Sequence, residues 1–297
     1  MNDRLKTAFE RWSIRQFIRL KWRGHRATDL SVVNERMPVE GGRIGVRLYR
    51  PRGAGPFPIL HFFHGGGWVR GDLETHDALC RDLCVQSGRL VVAFDYRLAP
   101  EHPFPSAVHD CLASLAWIRE HAARLRGDSQ RLAICGDSSG GNLAAIAAQQ
   151  ARTLQPGLIQ AQVLIYPALD YCAAAQWPSY QTYGSAPYAL TLDRMKHLWS
   201  LYLRKGPAWN RTDRTCELMT PLHTPDLSGL PPTLLIIAEH DVLHDEGMAY
   251  GRRLREAGND VEAKVYPAQQ HGFVGVMPSA AHRAAVADIA AWLRKLD

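Results

Sequence analysis

Ser138 is the residue in this sequence best placed to act as a nucleophile. It lies in Gly136-Asp137-Ser138-Ser139-Gly140-Gly141. The apolar run Leu132-Ala133-Ile134-Cys135 before it reads as a buried strand, and the alanine-rich segment through Gln149 reads as a helix. A strand, a sharp turn and a helix hold such a serine in a strained backbone, with its hydroxyl above the sheet edge. Flanking glycines remove side chains that would crowd the turn. The N–H of Ser139 opens the helix, where unpaired donors and the helix dipole favour negative charge. A nucleophile beside an anion site suits acyl transfer. A Gly/Ser loop that only turns a corner has the same pattern, so other residues must decide.

A serine hydroxyl needs a base. His271, in Tyr266-Pro267-Ala268-Gln269-Gln270-His271-Gly272-Phe273, follows the last expected strand and stands before a glycine. A base needs an acid that fixes its tautomer and stabilises the imidazolium. Asp241, in Ala238-Glu239-His240-Asp241-Val242-Leu243, emerges after the preceding strand, at the same sheet edge. Its rivals are Glu239, expected on the other side of an extended segment, and Asp245, expected to cap the next helix. His240-Asp241 with His244-Asp245 also raises a metal cluster, but no distant partner at suitable spacing supports one.

The oxyanion of an acyl transfer needs preorganised donors. His64-Gly65-Gly66-Gly67 ends an earlier strand, and glycines there leave bare backbone N–H groups in reach of a ligand. Two of these with the N–H of Ser139 make a three-donor site. A phosphate loop is the competing reading, but neither G-K-[ST] nor G-x-G-x-x-G context accompanies the glycines.

These loops need a scaffold that brings strand ends together. Strand patterns fall at Ile44–Arg50, Ile59–Phe63, Leu90–Asp95, Leu132–Cys135, Gln162–Tyr166, Thr233–Ala238 and Val261–Tyr266. Helical patterns fall at about 75–87, 107–124, 245–257 and 280–296. Such alternation implies an α/β domain with a mainly parallel sheet wrapped by helices. The alternation breaks at about 172–222, where Trp177, Tyr180, Tyr183, Tyr188, Trp199, Tyr202 and Trp209 accompany a helix near Asp193–Arg204. This reads as a helical cap over the site, its aromatics either lining an apolar pocket or forming a small core of their own. Residues 3 to about 26 read as a helix with Leu5, Phe9, Trp12, Phe17 and Leu20 near one stripe among many basic residues. That stripe is expected to pack over the top of the domain; the competing reading lays it on a membrane surface.

The length of 297 residues, 46% hydrophobic content and 22% charge fit one sizeable α/β domain spanning 1–297, with cap elements at about 1–35 and 172–222. The net charge of +6 is scattered, with no nucleic-acid footprint. No apolar run approaches the roughly 18 residues of a membrane span, and the N-terminus lacks a signal-peptide pattern. Cys80, Cys84, Cys111, Cys135, Cys172 and Cys216 include no C-x-x-C pair and read as reduced, buried thiols of a cytoplasmic protein.

The motifs His64-Gly-Gly-Gly-Trp68, Asp95-Tyr-Arg-Leu-Ala-Pro-Glu101, Gly136-Asp-Ser-Ser-Gly-Gly141, Glu239-His-Asp-Val-Leu243 and His271-Gly-Phe273 together resemble the hormone-sensitive-lipase-like esterases, the bacterial family IV branch of the α/β-hydrolases. The chain order Ser138, Asp241, His271 is theirs. Some stretches are similar to bacterial acetyl esterases. The resemblance implies an α/β-hydrolase fold with a cap, no cofactor, and hydrolysis of a small-molecule ester with short acyl chains. It also implies Gly66, Gly67 and Ser139 as oxyanion donors, and a homodimer through Val261–Tyr266 and Ala280–Leu296. Ser139 stands where alanine is usual, which keeps its backbone donor, and Val242 where proline is common. Two other readings remain on the same fold: a non-catalytic small-molecule receptor, and a lipase or amidase of different acyl preference.

Overall fold

Eight strands make one sheet in this computed structural model, which describes residues 3–172, 176–203 and 216–297. They are β1 (Leu30–Val39), β2 (Gly42–Pro51), β3 (Phe57–Phe63), β4 (Leu90–Asp95), β5 (Gly127–Asp137), β6 (Ala161–Ile165), β7 (Thr233–His240) and β8 (Val261–Gln270), in the order β1-β2-β4-β3-β5-β6-β7-β8. β1, β2 and β4 pair antiparallel, and every later pairing is parallel. The crossovers are the helices α2 (Asp77–Ser87), α3 (Ser106–Leu125), α4 (Ser139–Leu154) and α7 (His244–Glu256), and α8 (Ala280–Arg294) closes the chain.

Side chains alternate across a strand, so each central strand feeds two cores. In β3, Ile59 and Phe63 join α3, α4 and α7 on one face, while Leu60 and Phe62 join α2 and α8 on the other. Both faces are covered, which is why β4 and β6 are apolar without alternation. The parallel register sets Phe63 beside Gly136, Asp137 beside Ile165, and Ile165 beside Ile236. The loops after β3, β5, β6 and β7 therefore leave from one edge.

The expected elements form, with two revisions. β5 starts at Gly127, upstream of the apolar run that announced it. β8 continues to Gln270: it advances four positions, Tyr266 to Gln270, against two in β7, Ala238 to His240. The bulge includes Ala268 at φ 57, and its N–H donates to Glu239 at 2.7 Å. Pro267 within the segment hides this strand from a pattern reading.

The N-terminal helix α1 (Asp3–Lys21) does lie over the domain, but the expected stripe is not the face that packs. Leu5, Phe9, Trp12, Phe17 and Leu20 are 47–67% exposed. Packing instead uses Ile14, Ile18 and the following Trp22 against Ala78. Two arginines complete the inner face. Arg11 donates to the carbonyls of Val69 and Ala99 at 2.7 and 2.8 Å and pairs with Glu101. Arg15 pairs with Asp72. Guanidinium groups that satisfy loop carbonyls took the place that an apolar count reserved for side chains of lower polarity. Between β6 and β7 the described residues hold two α-helices, α5 (Pro178–Thr182) and α6 (Leu192–Tyr202), and a 3-10 turn at Pro221–His223. Trp209 and Arg204 lie outside the described residues. No described helix is long and apolar enough to cross a membrane.

Candidate active site

Ser138 sits between β5 and α4 with φ 55 and ψ −119, a conformation few side-chain-bearing residues adopt. The strain is held by neighbours: its N–H donates to Ile165 at 2.8 Å and its carbonyl accepts from Asn142 at 3.1 Å. The glycines of the turn are required by contact. A Cβ at Gly136 would meet the Gly140 carbonyl oxygen at 2.2 Å, and one at Gly140 would meet the Phe63 oxygen at 2.0 Å.

The three side chains expected to act together do meet. Ser138 Oγ lies 2.9 Å from His271 Nε2, and His271 Nδ1 lies 2.7 Å from Asp241 Oδ2. With the proton on Nδ1 facing the carboxylate, Nε2 is free to accept from the serine. The other oxygen of Asp241 accepts from the Leu243 N–H at 3.0 Å, which fixes the carboxylate plane. Asp241 is 1% exposed. The Tyr166 ring packs on the imidazole, centroids 4.7 Å apart. The β8 bulge supplies the extra reach that carries His271 to Ser138.

The rivals have other work. Glu239 accepts from the bulge at Ala268. Asp245 is not a helix cap: the N-cap of α7 is Leu243, and Asp245 accepts from the Ser179 N–H at 2.7 Å. His240 lies against the rings of Tyr183 and Tyr188.

Gly66, Gly67 and Ser139 line one cavity with Ser138 and His271. The N–H groups of Gly66 and Gly67 have no acceptor among the described residues, and that of Ser139, at the first turn of α4, has none within its helix. Gly66 has φ +126, and a Cβ there would approach the Arg70 carbonyl oxygen to 2.1 Å. Gly67 has φ +66, but its Cβ would meet only the flexible end of Leu198. Gly66→Ala must therefore displace the loop. We expect it to lower kcat about 100- to 1000-fold, the effect of one lost oxyanion donor, and Gly67→Ala to cost less. Steady-state rates of the two variants check the ranking.

Beneath this loop lies a pair that sequence reasoning passed over. Asp137 accepts from the Gly65 N–H at 2.8 Å and faces His76 Nε2 at 3.2 Å. Burial opposes charge on both groups, yet their mutual attraction prevails: the His76 pKa is raised and that of Asp137 lowered. His64, stacked on Tyr96, is pushed down to about 4 by burial and by the neighbouring His76 charge. The clue in the sequence was Asp137 itself, a carboxylate inside the nucleophile motif with no assigned work.

A second buried carboxyl ties α5 to the acid loop. Glu246 accepts from the Leu169 N–H at 2.6 Å and from the Tyr180 hydroxyl at 2.5 Å, while Ser179 Oγ donates to the Val242 carbonyl. Burial, reinforced by Asp170, raises the Glu246 pKa from 4.5 to about 8. The folded protein thus keeps a proton that the unfolded chain releases, so stability falls as pH rises between these values. Glu246→Gln mimics the neutral form. Its melting temperature should gain on that of the wild type as pH rises from 4.5 to about 8. A constant difference across thermal melts in that window would contradict the raised pKa.

The cavity holds about 340 Å³. Its walls combine Trp68 of the glycine loop, Ile14, Phe17 and Ile18 of α1, and Met195 and Leu198 of α6. None of the described aromatics of the inserted segment lines the cavity; of the two roles expected of them, they take packing rather than pocket lining. Trp199 and Tyr202 pack on Trp68, at 4.3 and 4.6 Å between centroids, and so brace the cavity wall from behind. Tyr183 and Tyr188 pack on each other.

The fold and this site define a class, and comparison with known proteins agrees. The chain belongs to the α/β hydrolase fold family, whose profile matches residues 60–275. It is 41% identical over 257 residues to the carboxylic ester hydrolase LipN of Mycobacterium tuberculosis, covering 84% of this chain and 64% of that protein. It is 40% identical over 251 residues to an ethyl acetate hydrolase of Pseudomonas putida, covering 83% and 75%. The structure matches an esterase of Pyrobaculum calidifontis with a TM-score of 0.92 at 37% identity, covering 98% of this chain and 93% of that one.

Proposed function

We propose that this protein is a serine carboxylesterase acting on short-chain acyl esters. The observation that carries the reading is the continuous Ser138–His271–Asp241 hydrogen-bonded chain opening onto an apolar cavity. Ser138 Oγ attacks the ester carbonyl while His271 Nε2 takes its proton, and Asp241 stabilises the imidazolium. The carbonyl oxygen, now an oxyanion, accepts from the N–H groups of Gly66, Gly67 and Ser139. Collapse expels the alcohol, which takes the proton from His271, and leaves an acyl-serine. Water, deprotonated by His271, then releases the acid and restores Ser138. The sequence acts as one domain, residues 1–297, with 1–35 and 172–222 as cap elements; Phe17, Met195 and Leu198 in the cavity wall support this.

The modest cavity supports short acyl chains. A series of aryl esters from acetate to palmitate tests the reading, run beside labelling by a serine-directed phosphonate. Turnover should be highest for short chains, and label should be absent from Ser138→Ala. Highest turnover on palmitate would overturn the chain-length reading; no turnover and no label would overturn the enzyme. We also infer a homodimer through β8 and α8. β8 is the outer strand of the sheet, and its side chains are half-buried or exposed. Six free, buried cysteines support a cytoplasmic setting.

A further inference from the structure

We propose that α1 is an interfacial helix that docks this protein on an anionic lipid surface, with the cavity beside it. The apolar stripe of α1 has no partner in the fold. Leu5, Phe9, Trp12 and Leu20 are 59–67% exposed, although large apolar side chains are normally buried. With about 100° per residue, these four fall along one face, with Gln16 between them. The face opposite carries Ile14 and Ile18 and is already buried. The helix therefore has two apolar sides, and the fold uses only one.

The charges name the occupant. Residues 5–21 carry five basic residues and one acid. The acid, Glu10, is taken by Arg194 at 2.6 Å, and Arg11 and Arg15 are taken by Glu101 and Asp72. Lys6 and Arg19 remain, exposed, one on each side of the stripe, and neither has an ionic partner among the described residues. Lys21, the last residue of the helix, and Arg23 beyond it add further exposed positive charge. An apolar stripe flanked by unpaired basic residues, with the acid of residues 5–21 already paired, is the pattern of a helix lying in a lipid interface, and anionic headgroups complement it. A second copy of this chain complements it poorly, because a two-fold axis would bring like positive charge against like. Phe17, 47% exposed, lines the cavity as well. Docking therefore places the cavity wall at the lipid surface.

The test is sedimentation of the full chain with vesicles of phosphatidylglycerol and phosphatidylcholine in equal parts, and with phosphatidylcholine alone. The double variant Phe9→Glu/Trp12→Glu is run beside the wild type, with its oligomeric state followed by light scattering. The wild type should bind the anionic vesicles, more weakly as salt rises, and bind neutral vesicles about tenfold less. The variant should lose about tenfold in anionic-vesicle affinity, about 1.4 kcal/mol. It should keep wild-type hydrolysis of a soluble aryl acetate without vesicles, since neither residue touches the cavity. Equal binding by the variant, or no binding by the wild type, overturns the proposal. A wild-type assembly that dissociates in the variant, without vesicle binding, assigns the face to a second copy and also overturns it. Vesicle binding is read without catalysis, so failure of the esterase reading leaves this outcome distinguishable.

Discussion

Ser138→Ala should lower kcat by about a millionfold, close to the effect of losing all three acting side chains together. The size follows from the arrangement. His271 and Asp241 are built around the serine oxygen, 2.9 Å from Nε2, and have no other substrate to activate once it is gone. What survives is the cavity and the three backbone donors, which still bind an ester and polarise its carbonyl. Residual turnover of about 1000- to 10,000-fold over water is therefore expected, through direct attack by solvent. KM should change little, since Ser138 is one atom of the cavity wall. Rates on an aryl acetate, with mass spectrometry after phosphonate treatment, measure both parts. Turnover within tenfold of wild type would move the nucleophile elsewhere.

Asp241→Asn should lower kcat about 10,000-fold while the fold stays intact. The asparagine can keep the bond from the Leu243 N–H through its carbonyl oxygen. Its amide then faces His271 Nδ1, 2.7 Å away in the native arrangement. An amide donor there requires Nδ1 to accept, so the ring proton moves to Nε2. That nitrogen then presents a hydrogen to Ser138 and cannot take its proton. The loss lies in kcat rather than KM. Glu239→Gln is the matched control, because Glu239 serves the β8 bulge and not the imidazole. Comparable losses in the two variants would reopen the choice of acid.

The parts of the molecule that were legible beforehand are those governed by local pattern. β4 shows as an uninterrupted apolar run, and it spans Leu90–Asp95 as expected. The turn at Ser138 carries its own glycines, and the contacts at Gly136 and Gly140 explain them. That Asp241 and His271 would meet Ser138 followed from their positions after two strands. Less was visible where residues act across the chain. Pro267 masked the continuation of β8, so the device that lets His271 reach its partner went unseen. The pairing of His76 with Asp137 joins residues 61 positions apart, and neither is apolar or periodic. The orientation of α1 failed for a related reason. Arg11 turns its head against Val69, Ala99 and Glu101 and Arg15 pairs with Asp72, and no hydropathy pattern marks an arginine that will find such acceptors.

The buried pair under the glycine loop also bears on how the site meets a developing charge. A carboxylate at Asp137, next in sequence to the nucleophile, would oppose an oxyanion forming nearby, and low-dielectric surroundings would transmit that repulsion. The His76 imidazole facing that carboxylate, its pKa raised by the same attraction, opposes this field. Further opposition appears during reaction, when His271 becomes cationic beside Asp241. Asp241 then has its own counter-charge, and the oxyanion is left for the backbone donors to answer. The carboxylate next to Ser138 thus has an opposing group beside it whether or not an ester is bound, and the glycine loop that shapes the site is fastened to that same carboxylate through the Gly65 N–H.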